Sequence, residues 1–514
     1  MTSNAATKPA EIGDPLTDDL HRGLKSRHIQ MIAIGGAIGV GLFLGSATAI
    51  QKAGPALLLS YAVAGVAIFF IMRALGELML YRPVSGSFAT YADEFIGKWA
   101  GFATGWTYWS MWIVTAMAEL TAVGIYMNFW FHIPQWLPAL VALVVLYMLN
   151  LIAVRLFGEI EFWFAIVKVL TIVMMIVIGV GILIFGFSKI GDTASVSNLW
   201  SHGGFFPKGI TGPLLALQMV VFAFLGVELI GVTAGEAENP ERAIPKAVNQ
   251  VIWRIGIFYI GALTVIFSLL AWTNLDGKTS PFVYVFENIG IPAAAGIINF
   301  VVLTAALSSC NSGLFSTGRM LFALSRQGQA PKALGRVGSR GVPSNALHVS
   351  FAVLLLGVVL NYLVPEKAFI YVTSIATVGA LWVWGVIMVS HLRYRKAVAA
   401  GTVPASTFRM PGAPYSNYGV LGFLGLVFIL LGFDASNRIA LYVAFPYAGL
   451  LAIGYMLSRK HNRVPAVSVS PVIIDSVSVE DVSGEEVSVE DVIPDHVEVF
   501  LAQNADRVLE GAVH

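Results

Sequence analysis

Charge is what this chain lacks. Of its 514 residues only 12% are Asp, Glu, Lys or Arg, while 57% are hydrophobic. Soluble globular proteins carry roughly a quarter charged residues, so half that share leaves too little charge to cover a surface facing water. Lipid must solvate most of the chain. The one cysteine, Cys310, excludes an intramolecular disulfide; set in an apolar stretch, it reads as a small buried hydrophobe. A net charge of +1 offers nothing to nucleic acid. The histidines do not pair at metal-ligand spacing, and no nucleophile–base set stands out. The composition therefore argues against an enzyme, and no metal or cofactor is expected. A channel's repeated pore ring is also missing. The N-terminal segment is polar through Lys25 and shows no signal-peptide core.

What the chain has instead is apolar length. Twelve stretches of about 20 residues, the length that crosses a bilayer, centre on 30–50, 56–80, 103–127, 137–155, 162–186, 212–233, 252–272, 292–316, 347–364, 370–391, 418–434 and 439–457. They predict an all-α polytopic membrane protein with 12 transmembrane helices. The last two are separated only by Asp434–Arg438. With the N-terminus inside, 23 Lys and Arg fall on inner loops and six on outer ones, the asymmetry that marks cytoplasmic loops. Residues 1–29 then form a cytoplasmic segment, 30–458 the helical domain, and 459–514 a cytoplasmic tail. From 464 onward the tail holds eleven acids and one base, Arg507, and repeats Val-Ser-Val-Glu-Asp at 477–481 and 487–491. This composition reads as a solvated, mostly disordered extension that can serve a cytoplasmic partner.

Two apolar stretches are interrupted. Gly35, Gly36, Gly39, Gly41 and Gly45 crowd the first, and each lowers helix stability by about 1 kcal/mol. In the sixth, Gly226 and Gly231 flank Glu228, and an acid inside a membrane span is costly to keep unless it serves a function. Unwinding there frees main-chain polar groups that lipid cannot satisfy. Amides freed in the first helix suit a carboxylate, and carbonyls freed in the sixth suit an ammonium. The same small residues also serve close helix packing. Glu228 is a proton carrier, a cation partner or a structural acid. Breaks in the first and sixth helices imply two five-helix halves around a site at mid-membrane.

Other polar residues sit inside the stretches. Lys168, in the fifth, either reaches the membrane surface along its stem or turns inward, where a desolvated amine can exchange a proton. Glu119, in the third, is a candidate for proton coupling or substrate contact. Glu77, in the second, lies one turn from Arg73 and is expected to pair with it. Ser308, Ser309, Asn311 and Ser312 form a polar patch in the eighth that lines a path or bonds neighbouring helices. Trp106, Tyr108, Trp109, Trp112, Trp130 and Trp136 are expected mainly as interface anchors, and Phe222 as a lid over a ligand.

Several runs resemble the bacterial amino acid permeases of the amino acid–polyamine–organocation superfamily. Gly23–Phe43 is similar to their opening signature. Ala53–Pro55, Thr104–Trp109, Phe157–Trp163, Ala234–Pro245 and Asn311–Leu321 are similar to further motifs. The likeness runs from about Gly23 to Arg459 and leaves out the acidic tail. It implies a 5+5 inverted-repeat (LeuT-like) core with discontinuous helices 1 and 6. It also implies proton-coupled import of an amino acid, most simply a neutral one, across the cytoplasmic membrane, both termini being cytoplasmic. An exchanger working through the same site is the alternative. By this resemblance Ala37, Ile38, Gly39, Val40 and Gly41 hold the substrate carboxylate. Phe222, Ala223, Phe224 and Leu225 take its amino group, with Phe222 the gate. Lys168 carries the proton-linked role, with Glu119 and Glu228 as further coupling candidates. At Val40 relatives commonly carry Thr or Ser, so a hydroxyl donor is missing there. Local segments resemble carriers of proline, of aromatic amino acids, and of D-alanine, D-serine and glycine about equally, so the substrate stays open.

Overall fold

A computed structural model describes residues 38–84, 87–152, 154–233, 240–290, 293–338, 341–461 and four tail residues, 479–480 and 486–487. Gly35, Gly36 and Ala37 lie outside them. So does nearly all of the tail, whose four described residues pair as short antiparallel strands, Val479–Glu480 and Glu486–Val487. The tail falls in a unit of its own, Asn462–His514.

Elsewhere the described chain is helical, as it must be where no water is available to bond a free main chain. Among the described residues eight helical spans are long and apolar enough to cross a membrane: Gly45–Tyr81, Lys98–Met127, Glu161–Phe185, Glu241–Leu269, Ala294–Arg326, Ser344–Leu363, Pro365–Ala399 and Ile439–Arg459. Trp136–Ile152, Thr211–Ala223 and Tyr415–Leu431 are shorter apolar helices. Helices are named below by the order of the apolar stretches they contain; the tight turn Gly54–Ala56 divides Gly45–Tyr81 into the end of helix 1, which closes at Ala53, and helix 2, Leu57–Tyr81. The sparsely separated last pair is real: Tyr415–Leu431 and Ile439–His461 flank a turn in which Arg438 donates to the Gly432 carbonyl. Hydropathy gave no warning of two shorter helices, Ser87–Phe95 and Pro281–Ile289. Each has nine residues and is too short to span.

The packing repeats with a step of five. Helix 1 packs on helix 6, helix 2 on helix 7, helix 3 on helix 8, and helix 4 on helix 9. An odd step reverses direction, so the second set of five is inverted relative to the first, as the LeuT-like core requires. Helices 3 and 8 form the most extensive contact. There Trp112 lies against Gly313, where an added Cβ would meet its ring at 3.0 Å. That packing corrects two of the expected interface anchors. Tyr108 is 0% exposed and Trp112 1%, because both face helix 8 and not the lipid. Trp106 is half-buried and donates to the Gln329 carbonyl at 3.2 Å.

Each end of the bundle is tied by polar contacts. At one, Lys52 at the close of helix 1 pairs with Asp434 in the turn between helices 11 and 12. Asp434 also accepts from Ser436 N and Asn437 Nδ2, and Ser374 of helix 10 donates to Asn437 at 2.9 Å. Burial raises the Asp434 carboxyl, but the Lys52 ammonium and the Ser436 amide override it and hold it below the ordinary carboxylate value. At the other end Glu77, expected to pair with Arg73, bonds elsewhere. Its Oε2 accepts from Met410 N at 2.6 Å and lies 3.0 Å from His391 Nε2, while Oε1 is 3.0 Å from Arg395 Nε. The reason is the connection after helix 10, which folds back over helix 2. Phe408 of that connection stacks on the Arg73 guanidinium at 3.7 Å, and Arg73 donates to the Arg409 carbonyl.

Candidate polar site at the helix breaks

The sixth helix opens where the glycine predicts. Thr211–Ala223 is regular, Leu229–Thr233 resumes, and the segment between is irregular. Gly226 has φ +93°, a left-handed conformation that a side chain would resist. Tight turns replace helical bonding: Phe224 N donates to Val221 O, Leu225 N to Phe222 O, and Leu229 N to Gly226 O. The Ala223 carbonyl, released by the break, accepts from Tyr259 of helix 7 at 3.0 Å. Gly231, expected in the unwound segment, lies in the resumed helix.

Glu228 is fully buried in this turn. Its Oε2 accepts from Gly226 N at 3.2 Å and from Trp384 Nε1 of helix 10 at 3.4 Å. It braces its own turn, and among the described residues it makes no bond to the first helix. Arg254 of helix 7 is only 3% exposed and lies within electrostatic reach of Glu228.

The first helix is described from Ile38. Ile38 and Gly39 are not helical, Gly39 being extended at φ −125°, ψ −157°, and the helix starts at Val40. Its backbone runs against the sixth-helix break. A Cβ on Gly41 would lie 2.5 Å from Ala223 Cα, and one on Gly39 would lie 2.6 Å from Glu119 Oε1 and 2.9 Å from Ser309 Oγ. Glycine at these two positions is what lets the main chain approach a neighbouring backbone and a carboxylate. Val40 N faces Glu119 Oε2 at 3.4 Å.

Beside Glu119 lies Lys168, and it does not reach the surface: its side chain is 0% exposed. It faces Glu161 Oε1 at 3.8 Å, also fully buried, and Glu119 is its second electrostatic partner. Ser308 Oγ donates to Glu161 Oε2 at 2.7 Å. The polar patch of helix 8 thus bonds neighbouring helices: Ser308 serves helix 5, and Asn311 accepts from Asn150 of helix 4 at 2.7 Å. Glu161 escaped the sequence reading. The signal was its spacing, seven residues before Lys168, which places both on one helix face two turns apart.

The predicted residues therefore divide. Gly39 and Val40 meet Glu119, which is an electrostatic partner of Lys168, and Gly41 meets Ala223. Phe222 packs edge-on to Phe369 at 6.4 Å. Phe224 is fully buried against Tyr259 and Tyr61, with ring centroids at 4.8 and 5.8 Å; it belongs to the packing between helices 2, 6 and 7. Leu225 is buried. A surface cavity of about 620 Å³ lies elsewhere, lined by Phe129, Trp130 and Phe300 among others; with no charged residue in its lining, it offers nothing to a zwitterion.

Comparison with known proteins gives the family. The profile of the family described as "Amino acid permease" matches residues 28–465. "Uncharacterized amino acid permease YtnA" of Bacillus subtilis is 52% identical over 439 residues, covering 85% of this chain and 95% of the relative. "Probable threonine/serine transporter YbxG" of the same organism is 50% identical over 441 residues, covering 85% and 95%. "Aromatic amino acid transport protein AroP" of Escherichia coli is 48% identical over 446 residues, covering 86% and 97%. Among solved structures, a manganese transporter of Eremococcus coleocola superposes with a TM-score of 0.54 at 12% identity, covering 88% of this chain and 97% of that one; the likeness is one of fold alone. A helical membrane core broken at its sixth helix and a match across most of its length place the chain in the amino acid permease family.

Proposed function

We propose that the protein imports a neutral amino acid across the cytoplasmic membrane, driven by protons, with both termini in the cytoplasm. The observation that carries this reading is one buried ammonium among buried carboxylates. Lys168 faces Glu161 at 3.8 Å and interacts with Glu119. With all three ionised the group has one positive and two negative charges. Such an excess is expensive away from water, and a proton bound within the group removes it. The group adjoins the start of helix 1 through Glu119 and Val40, so its protonation bears on the main chain that meets a substrate. Ile38, Gly39, Val40 and Gly41 offer amides to the substrate carboxylate, with Ala37 preceding them. Phe222, Ala223, Phe224 and Leu225 border the place for its amino group, and Glu228 steadies that segment. The relatives named for threonine/serine and for aromatic amino acids support a neutral substrate. The reading needs no metal or cofactor, and assigns the acidic tail to a cytoplasmic partner.

Uptake of labelled amino acids into proteoliposomes, with and without an inward proton gradient, tests the reading. Accumulation that follows the gradient is expected, and Lys168→Ala is expected to lose accumulation more than binding. Uptake indifferent to the gradient but dependent on amino acid inside the vesicle would assign an exchanger.

A further inference from the structure

We infer that Glu161 is the proton acceptor for Lys168, so that the coupling proton moves along one face of helix 5. The inference deepens the reading of proton-driven import and rests on it.

Both side chains are fully buried. Seven residues make about 10 Å of helix rise and nearly two full turns, so the two side chains extend toward each other over one face. Ser308 of helix 8 holds Oε2 of Glu161 at 2.7 Å, which fixes the plane of the carboxylate. Oε1 has no hydrogen bond among the described residues and faces the Lys168 amine. At 3.8 Å the two atoms form an ion pair just outside the range of about 2.7–3.2 Å in which a hydrogen bond carries a proton. The four-carbon lysine stem closes such a gap by a small torsional change.

The step is simple to balance. One N–H bond of the Lys168 ammonium breaks and its electron pair stays on nitrogen. An O–H bond forms at Glu161 Oε1. With the group's bound proton on Glu119, the ion pair becomes a neutral amine and a neutral acid, and no charge is stranded away from water. Glu161 precedes Lys168 in helix 5, on the side nearer the inner face in the proposed orientation. It is thus the station from which the proton leaves toward the cytoplasm. Glu119 lies on the substrate side, against Val40 N, and Lys168 has both carboxylates as electrostatic partners.

The experiment compares two rates in proteoliposomes: gradient-driven accumulation, and counterflow of labelled against unlabelled amino acid at equal pH. A panel of the twenty common L-amino acids with D-alanine and D-serine supplies the probes. Glu161→Gln is expected to lower the ratio of accumulation to counterflow at least tenfold, and Glu161→Asp to recover part of it. Should Glu161→Gln fail to fold, Ser308→Ala, which releases the carboxylate plane, is expected to lower the ratio at least threefold. A ratio equal to wild type in the variant that folds, with both rates kept or both lost together, overturns the inference. If the wild-type protein itself ignores the gradient, the failure lies in the reading beneath it.

Discussion

At the scale of single residues, one glycine carries the contact between the first helix and the break in the sixth. Gly41 lies where a Cβ would meet Ala223 Cα at 2.5 Å and Ala223 N at 3.0 Å. Backbone cannot step aside as a flexible side chain can. Gly41→Val should destabilise the protein by about 1–3 kcal/mol and abolish uptake, read from thermal unfolding in detergent and from transport. Gly385 is the matched control: it is helical, and an added Cβ meets nothing within 4 Å. Gly385→Ala should leave transport intact and raise the unfolding temperature slightly, since alanine loses less backbone freedom on folding. The same scale shows what a linear reading misses. The cluster of glycines in helix 1 and the acid in helix 6 were legible because both defy the rules of a membrane helix. Glu161 was not, because an acid near the end of an apolar stretch looks like a surface residue until helix 8 is placed over it. Tyr108 and Trp112 misled for the same reason, since aromatic residues near a membrane boundary and those in a helix–helix seam have one composition.

At the scale of elements, the connection after helix 10 is held as firmly as a helix. Glu77, 1% exposed, takes Met410 N, His391 and Arg395 at once, while Tyr394 accepts from Ser406 N and donates to the Pro404 carbonyl. Removing one partner of a buried charged network typically costs about 3–5 kcal/mol. Glu77→Gln should therefore lower the unfolding temperature and expose 400–414 to limited proteolysis, with mass spectrometry of the fragments as the readout; an uncut connection in the variant would contradict this. The individual helices were readable from hydropathy, and so was the break in the sixth. Glu77 was assigned to Arg73 because one helical turn is the only neighbourhood a sequence displays; its actual partners lie more than 300 positions away.

At the scale of the whole molecule, the helices and their core form one unit, Met1–His461, and the acidic tail falls in another, Asn462–His514. The family match ends at residue 465. Deleting 464–514 should leave both the unfolding temperature and the rate of uptake in proteoliposomes within twofold of the full chain, the tail's cytoplasmic partner being absent there. A large loss of either would place the tail inside the working transporter. The two five-helix halves were legible only through the two breaks, and their inversion became concrete only when helices five apart were seen to pack in pairs.

The Lys52–Asp434 pair gives the last two helices a mechanical part. They stand outside the four packed pairs, and helix 12 is largely uncovered by the rest of the protein. Yet the turn that joins them grips the end of helix 1 and, through Asn437, helix 10. If helix 1 swings at that end, it drags this hairpin sideways through the bilayer or leaves a half-buried aspartate without its cation. The hairpin then works as a spring with one end in the fluid: the viscosity and thickness of the surrounding lipid would set how fast the carrier resets between cycles.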